Sequence, residues 1–208
     1  MDKSMIQSES LFEEYLKQQK INFTKEFPVN SHNVDYLLTK VQQKILCDVK
    51  EVRDSEDKLK PGVERLGGKI DAQDHIRGDI KKLRNKFKRQ PTVPLMLVSM
   101  NFSSNSFTAL TVSRALMGEI GMIFERGSED NKSDIHHLHT GNAVLRQKMN
   151  TSISGVFLFD ITNLNHCLFR SPYSNYEILS DFFSDIKIID LHKDETPEDI
   201  IKLSKIMF

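Results

Sequence analysis

Tryptophan is absent, cysteine occurs twice and proline six times among 208 residues, and 29 basic side chains are matched by 29 acidic ones. Each shortage excludes something. Cys47 and Cys167 are too far apart for a CxxC pair or a zinc-finger spacing, and a disulfide-stapled secreted domain would need more of them. No run approaches the ~18 consecutive apolar residues of a membrane-spanning helix. The leading MDKSMIQSESLFEE lacks the apolar centre of a signal peptide. A reduced, cytoplasmic protein without a membrane partner is the expectation. Zero formal charge argues against a polybasic binder held by bulk positive charge, although charge can be segregated within a neutral total. With neither GxxxxGK[ST] nor GxGxxG present, no nucleotide cofactor is expected.

What is present reads as an α/β chain, with 38% hydrophobic and 28% charged residues and a length suited to a single domain over 1–208. Residues 8–20 predict a helix with Ser8 or Ser10 at its N-cap and Leu11, Phe12, Tyr15 and Leu16 on one face. Three strands are expected at 21–29, 34–40 and 44–52, the last two joined by a tight reversal. Residues 53–71, with Pro61-Gly62 and Gly67-Gly68, read as a loop. Residues 72–89 predict a helix with the stripe Ile76, Ile80, Leu83, Phe87, and 94–99 a central strand apolar on both faces. Beyond it, helices are expected at 107–117, 176–183 and 197–207, with strands at 120–124, 156–160 and 167–170. Residues 127–142 read as a surface loop.

The third strand carries Asp48-Val49-Lys50, and Asp35 opens the second. Asp48 and Lys50 are two apart and so emerge on one sheet face. If the second and third strands are antiparallel neighbours, Asp35 comes within about 5 Å of them. Two carboxylates and the Val49 carbonyl make a hard-oxygen set suited to Mg²⁺ or Mn²⁺. Lys50 could polarise a water for attack on phosphorus or neutralise developing charge. Asp and Lys two apart are also common on a solvated strand, but Leu46, Cys47 and Val49 give Asp48 an apolar setting where an unpaired charge is costly.

Through LFEEYLKQQKINFTKEFPV, NVDYLL and ILCDVKEV, the stretch of about residues 8–100 resembles the PD-(D/E)XK nuclease superfamily, in its uncharacterised bacterial members. Val34 stands where that group usually has proline, and Asp48 where it more often has Glu. The resemblance implies a restriction-endonuclease-like αβββαβ core, a mixed central sheet flanked by helices, with 101–208 as a C-terminal elaboration. It implies that Asp35 and Asp48 bind the metal, that Lys50 serves the water and that Glu13 completes the acidic cluster, with Glu14 and Glu9 as its competitors. It favours DNA over RNA as the substrate of an endonuclease, with restriction, phage defence and repair as compatible roles. A homodimer or larger assembly would set two sites on two strands.

Beside its apolar stripe, the helix at 72–89 carries Arg77, Lys81, Arg84 and Lys88 at helical spacing, a cationic flank expected to meet phosphates near the metal. Gln73 lies on the same side and could approach the water. Such a flank is often only a solvated face. His136, His137 and His139 sit in an expected loop, which suits a solvated segment better than a zinc site. Ser99 and Ser113 have no nucleophile-elbow context and Cys47 has no convincing histidine partner, so a side-chain nucleophile is not supported. The leading expectation is a metal-dependent nuclease. Its competitor is a non-catalytic module of the same fold, kept for nucleic-acid binding or assembly.

Overall fold

The computed structural model describes residues 3–29, 32–53, 72–87, 92–102, 109–125, 134–141, 152–161, 165–191 and 202. The order is α1 (Lys3–Gln18), β1 (Asn22–Val29), β2 (His32–Lys40), β3 (Gln43–Val52), α2 (Ala72–Lys86), β4 (Leu95–Asn101), α3 (Ala109–Met117), β5 (Glu119–Glu125), β6 (Asp134–Gly141), β7 (Ile153–Asp160), β8 (Asn165–Arg170) and β9 (Lys187–Asp190). Seven strands form one mixed sheet in the order β1-β2-β3-β4-β7-β8-β9, and β5 and β6 form a separate hairpin. Three strands from beyond residue 101 therefore extend the sheet begun by the first half of the chain.

The sheet separates two apolar clusters. On one face Phe12, Tyr15 and Leu16 of α1 pack with Ile45, Cys47 and Val49 of β3, Met96, Val98 and Met100 of β4, and Phe157 of β7. On the other, the α2 stripe Ile76, Ile80, Leu83 and Phe87 packs with Leu46, Leu95, Leu97 and Val156 and with Val112 of α3. The period-two alternation of β3 and β4 feeds both clusters, which is why β4 is buried along its whole length. β3, β4 and β7 run parallel, while β1-β2, β2-β3 and β7-β8 are antiparallel.

Strand β2 changes faces in its first half. Tyr36 and Leu38 belong to the α1 cluster, whereas Val34, of the same parity, belongs to the α2 cluster. The residue facing this turnover across the β1 ladder is Glu26, held at a left-handed φ of 48°. The β2-β3 ladder ends there, at Tyr36↔Cys47. Asp35 is the next residue along β2, at the point where the two strands part.

Several expectations are corrected. Helix α1 begins at Lys3, so Ser8 is a buried residue within the helix and not its cap. Residues 176–183 form turns and bends instead of a helix. Their backbone groups bond to side chains: Ile178 O accepts from Arg170, Glu177 O from Gln43, Phe182 O from Lys40, and Leu179 N donates to Gln43. Part of the expected loop 127–142 is strand β6, whose pairing with β5 overrides a composition that shows no alternation. The short β9 was not among the expected strands. The expected loop at 54–71 lies outside the described residues, as does the helix at 197–207 except for the helical Lys202.

Two glycines give this architecture a direct test. A Cβ on Gly155 would lie 2.7 Å from the Phe169 carbonyl oxygen in β8, while one on Gly78 in α2 would meet nothing within 4 Å. Gly155→Ala is expected to cost about 1–3 kcal/mol through strain between β7 and β8. Gly78→Ala is expected to gain up to about 1 kcal/mol from helix propensity. Urea unfolding of both variants beside the unchanged protein checks the pair.

Candidate functional site

Asp48 lies on the α2 face of β3 and is 2% exposed. Neutralising it takes two cations, one on each carboxylate oxygen: Oδ2 is 2.7 Å from Lys50 Nζ and Oδ1 is 2.7 Å from Lys86 Nζ. Lys50 Nζ also donates to the Val49 carbonyl at 3.0 Å and lies 3.6 Å from Asp35 Oδ2. Three oxygens thus surround one ammonium. The two distances from Nζ hold the Oδ2 atoms of Asp35 and Asp48 within about 6 Å of each other, a gap that modest rotamer changes could close onto one hard cation.

Asp35 reaches this position because the β2-β3 ladder has already ended. The Val49 N–H has no β2 carbonyl to meet, and Asp35 Oδ2 accepts it at 2.7 Å. A side-chain carboxylate replaces a missing rung.

The two carboxyls differ in charge state. Burial, and then the neighbouring Asp48 carboxylate, raise the Asp35 pKa above the usual range; Lys50, the Val49 N–H and Lys86 only partly offset them. Burial also opposes ionisation of Asp48, but the charges and hydrogen bonds of Lys50 and Lys86 outweigh it and hold its pKa below the usual range. Lys50 loses solvation through burial, yet Asp48 and Asp35 raise its pKa, with Asp79 of α2 adding a smaller push. The same surroundings raise the thiol of Cys47 well above its ordinary value, and burial brings Cys167 to about 12, so neither free cysteine supplies a thiolate.

The other expected site residues lie elsewhere. Glu13 accepts from Tyr36 Oη at 2.9 Å and pairs with Lys25 at 2.5 Å. Tyr36 belongs to the α1 cluster, across the sheet from Asp48. Arg77 is buried, paired with Asp74 at 3.1 Å and donating to the Arg114 carbonyl of α3 at 3.0 Å, so it braces α2 against α3. Gln73 is also buried, and it precedes Lys86 by nearly four turns, about 20 Å along the axis. Lys81 and Arg84 are exposed, and Lys88 lies outside the described residues.

Lys86 was missed, for a reason visible on the helical wheel. At about 100° per residue, Lys86, Asp79 and Lys82 fall on one side of the apolar stripe, and Arg77, Lys81 and Arg84 on the other. The sequence shows the cationic flank, but the side of α2 that borders Asp48 is the opposite one. There Asp79 pairs with Lys82 at 2.9 Å. A cation three residues after the buried Leu83 was the available signal.

Among the described residues, no group of three or more His, Cys, Asp or Glu side chains is gathered as a metal site. None of those helices is long and apolar enough to cross a membrane. No family model matches the chain, and neither the curated proteins nor the solved structures give a match.

The opposite shifts of Asp35 and Asp48 set opposite pH dependences. Asp48 binds its proton more weakly in the folded state, so its stabilisation is full above the ordinary carboxylate pKa and is lost as pH falls through the lowered one. Asp35 binds its proton more tightly when folded, so it costs stability as pH rises from the ordinary pKa through the raised one. Asp35→Asn should therefore stabilise the protein at pH 7, with the gain fading towards pH 3. Asp48→Ala should cost about 2 kcal/mol at pH 7, less than a fully buried pair would, because the Lys50 and Lys86 side chains are 32% and 29% exposed. Denaturant titrations at both pH values check the signs.

Proposed function

We propose that the chain is a metal-dependent nuclease of the PD-(D/E)XK type, an endonuclease hydrolysing phosphodiester bonds with DNA as the preferred substrate. The observation that carries this reading is the convergence of Asp35 Oδ2, Asp48 Oδ2 and the Val49 carbonyl on Lys50 Nζ. A surface ion pair needs none of this: it needs no third oxygen, no near-complete burial of Asp48, and no carboxyl whose pKa is raised by burial and by its neighbour. The αβββαβ order of the first six elements agrees with such a core.

The donor set is two carboxylates and a carbonyl, the hard oxygens that Mg²⁺ or Mn²⁺ takes. Asp35, Asp48 and the Val49 carbonyl would hold a divalent cation, which would supply Lewis acidity and lower the pKa of a water. In the reaction, water attacks phosphorus, one P–O ester bond breaks, and a phosphate monoester and an alcohol leave. Asp48, ionised across the neutral pH range, supplies fixed negative charge for the cation. The Val49 N–H holds Asp35 in place. Lys50 would offer its ammonium to the charge that develops on the phosphoryl oxygens. Two copies of the chain would cut two strands, and roles in restriction, phage defence or repair fit this chemistry.

A second reading has one observation in its favour. Asp48 is already fully paired by two ammonium groups, as in a nuclease fold kept for nucleic-acid binding or assembly. A cleavage assay on plasmid and linear DNA with Mg²⁺ or Mn²⁺ separates the two. Expected outcomes are cutting that stops with EDTA, loss of at least about a hundredfold in rate for Asp48→Asn, and a similar loss for Lys50→Ala. Cutting by Asp48→Asn at the unchanged rate, or DNA binding without cutting in either metal, selects the second reading.

A further inference from the structure

Lys86 differs from Lys50 in what it keeps when Asp48 is taken away. Lys50 Nζ retains the Val49 carbonyl and Asp35. Among the described residues, Lys86 forms an ion pair with no carboxylate other than Asp48; it lies over the ring of Phe87, 5.6 Å from the centroid, and acts on Asp35 only at longer range. Its side chain is 29% exposed, so water can receive the ammonium once it lets go.

We propose that Lys86 is a tethered counter-ion of the site: it neutralises Asp48 in the cation-free protein and competes with the incoming divalent ion for that carboxylate. The inference rests on the cation site proposed above. Its physical basis is steric and electrostatic. A hard cation binds a carboxylate oxygen at roughly 2.0–2.6 Å, and an ammonium at 2.7 Å from Oδ1 crowds that approach and repels the ion. Lys50 crowds Oδ2 in the same way, but the hard-oxygen set itself gives it somewhere to go. Lys86 gives up the one carboxylate with which it pairs among the described residues. It therefore raises the concentration of divalent ion needed to load the site, while sparing the cation-free protein a buried, unpaired Asp48.

Calorimetric titration of the full chain with Mn²⁺, without nucleic acid, tests this without reference to catalysis. Lys86→Met keeps the length and apolar contacts of the side chain and removes its charge. It is expected to bind Mn²⁺ about tenfold more tightly than the unchanged protein, the factor for losing one charged hydrogen bond. Lys86→Arg should restore the weaker binding. Lys81→Gln, on the far side of α2, should shift affinity by less than about twofold, as distant screened charge does. Asp48→Asn should bind no Mn²⁺. If Lys86→Met fails to fold, as judged by circular dichroism, Lys86→Gln carries the same expectation. Mn²⁺ binding to the unchanged protein with equal or weaker affinity in the Lys86 variants overturns the counter-ion and leaves the cation site standing. Absence of binding in every protein overturns the cation site, and the counter-ion with it.

Discussion

A carboxylate with almost no access to water has to be neutralised, and the α2 side of the sheet is arranged around how Asp48 achieves it. Leu46 and Val52 on the same face of β3 enter the apolar cluster beneath α2, so the charge stands in a row otherwise committed to hydrocarbon. One partner comes from the same strand, two residues on, and the other from the last turn of α2. The second pairing ties the end of the helix to the middle of β3, where Leu83 and Phe87 seat the stripe. Loss of the carboxylate would leave two ammonium groups facing each other and the helix end without its polar anchor.

Asp35 completes the group by a different route. Its place follows from where two strands stop pairing, and that follows from a local reversal of faces opposite Glu26. The carboxyl then serves as acceptor for one backbone N–H and as unfavourable neighbour for another acid. Stability alone would not select that pairing of like charges.

The sequence made the apolar layers and the strand parity legible and left the polar geometry largely unreadable. Ile76, Ile80, Leu83 and Phe87 face the core as their spacing predicts, and β4 is the fully buried strand that its two-sided apolar run implies. Asp48 and Lys50 share a face because a strand has period two. The side of α2 that meets β3 was not legible, because a helix can roll by tens of degrees about one apolar stripe. Arg77 looked like the start of a phosphate-binding flank and is a buried brace; Lys86 looked like one lysine among several and is a partner of Asp48. Glu13 has helical spacing suited to either side of α1, and Tyr36 and Lys25 decide where it goes. The segment 176–183 had helical composition, but side chains from β2, β3 and β8 capture its backbone, and no window of local sequence contains Lys40 or Gln43.

The neighbours of β4 also bear on how the chain reaches this state. β4 pairs in parallel with β3 on one side and with β7 on the other, and more than fifty residues separate β4 from β7. During synthesis β3 and α2 emerge first and can cover part of β4, but its other edge stays open until β7 has left the ribosome. An unpaired edge on a wholly apolar strand is a template for association with other chains. Parallel pairing across such a separation closes slowly, because loop entropy is lost before contacts are gained. The interval between the two strands is therefore the exposed phase of this protein's folding, when a chaperone or rapid completion of β7 protects it from self-association.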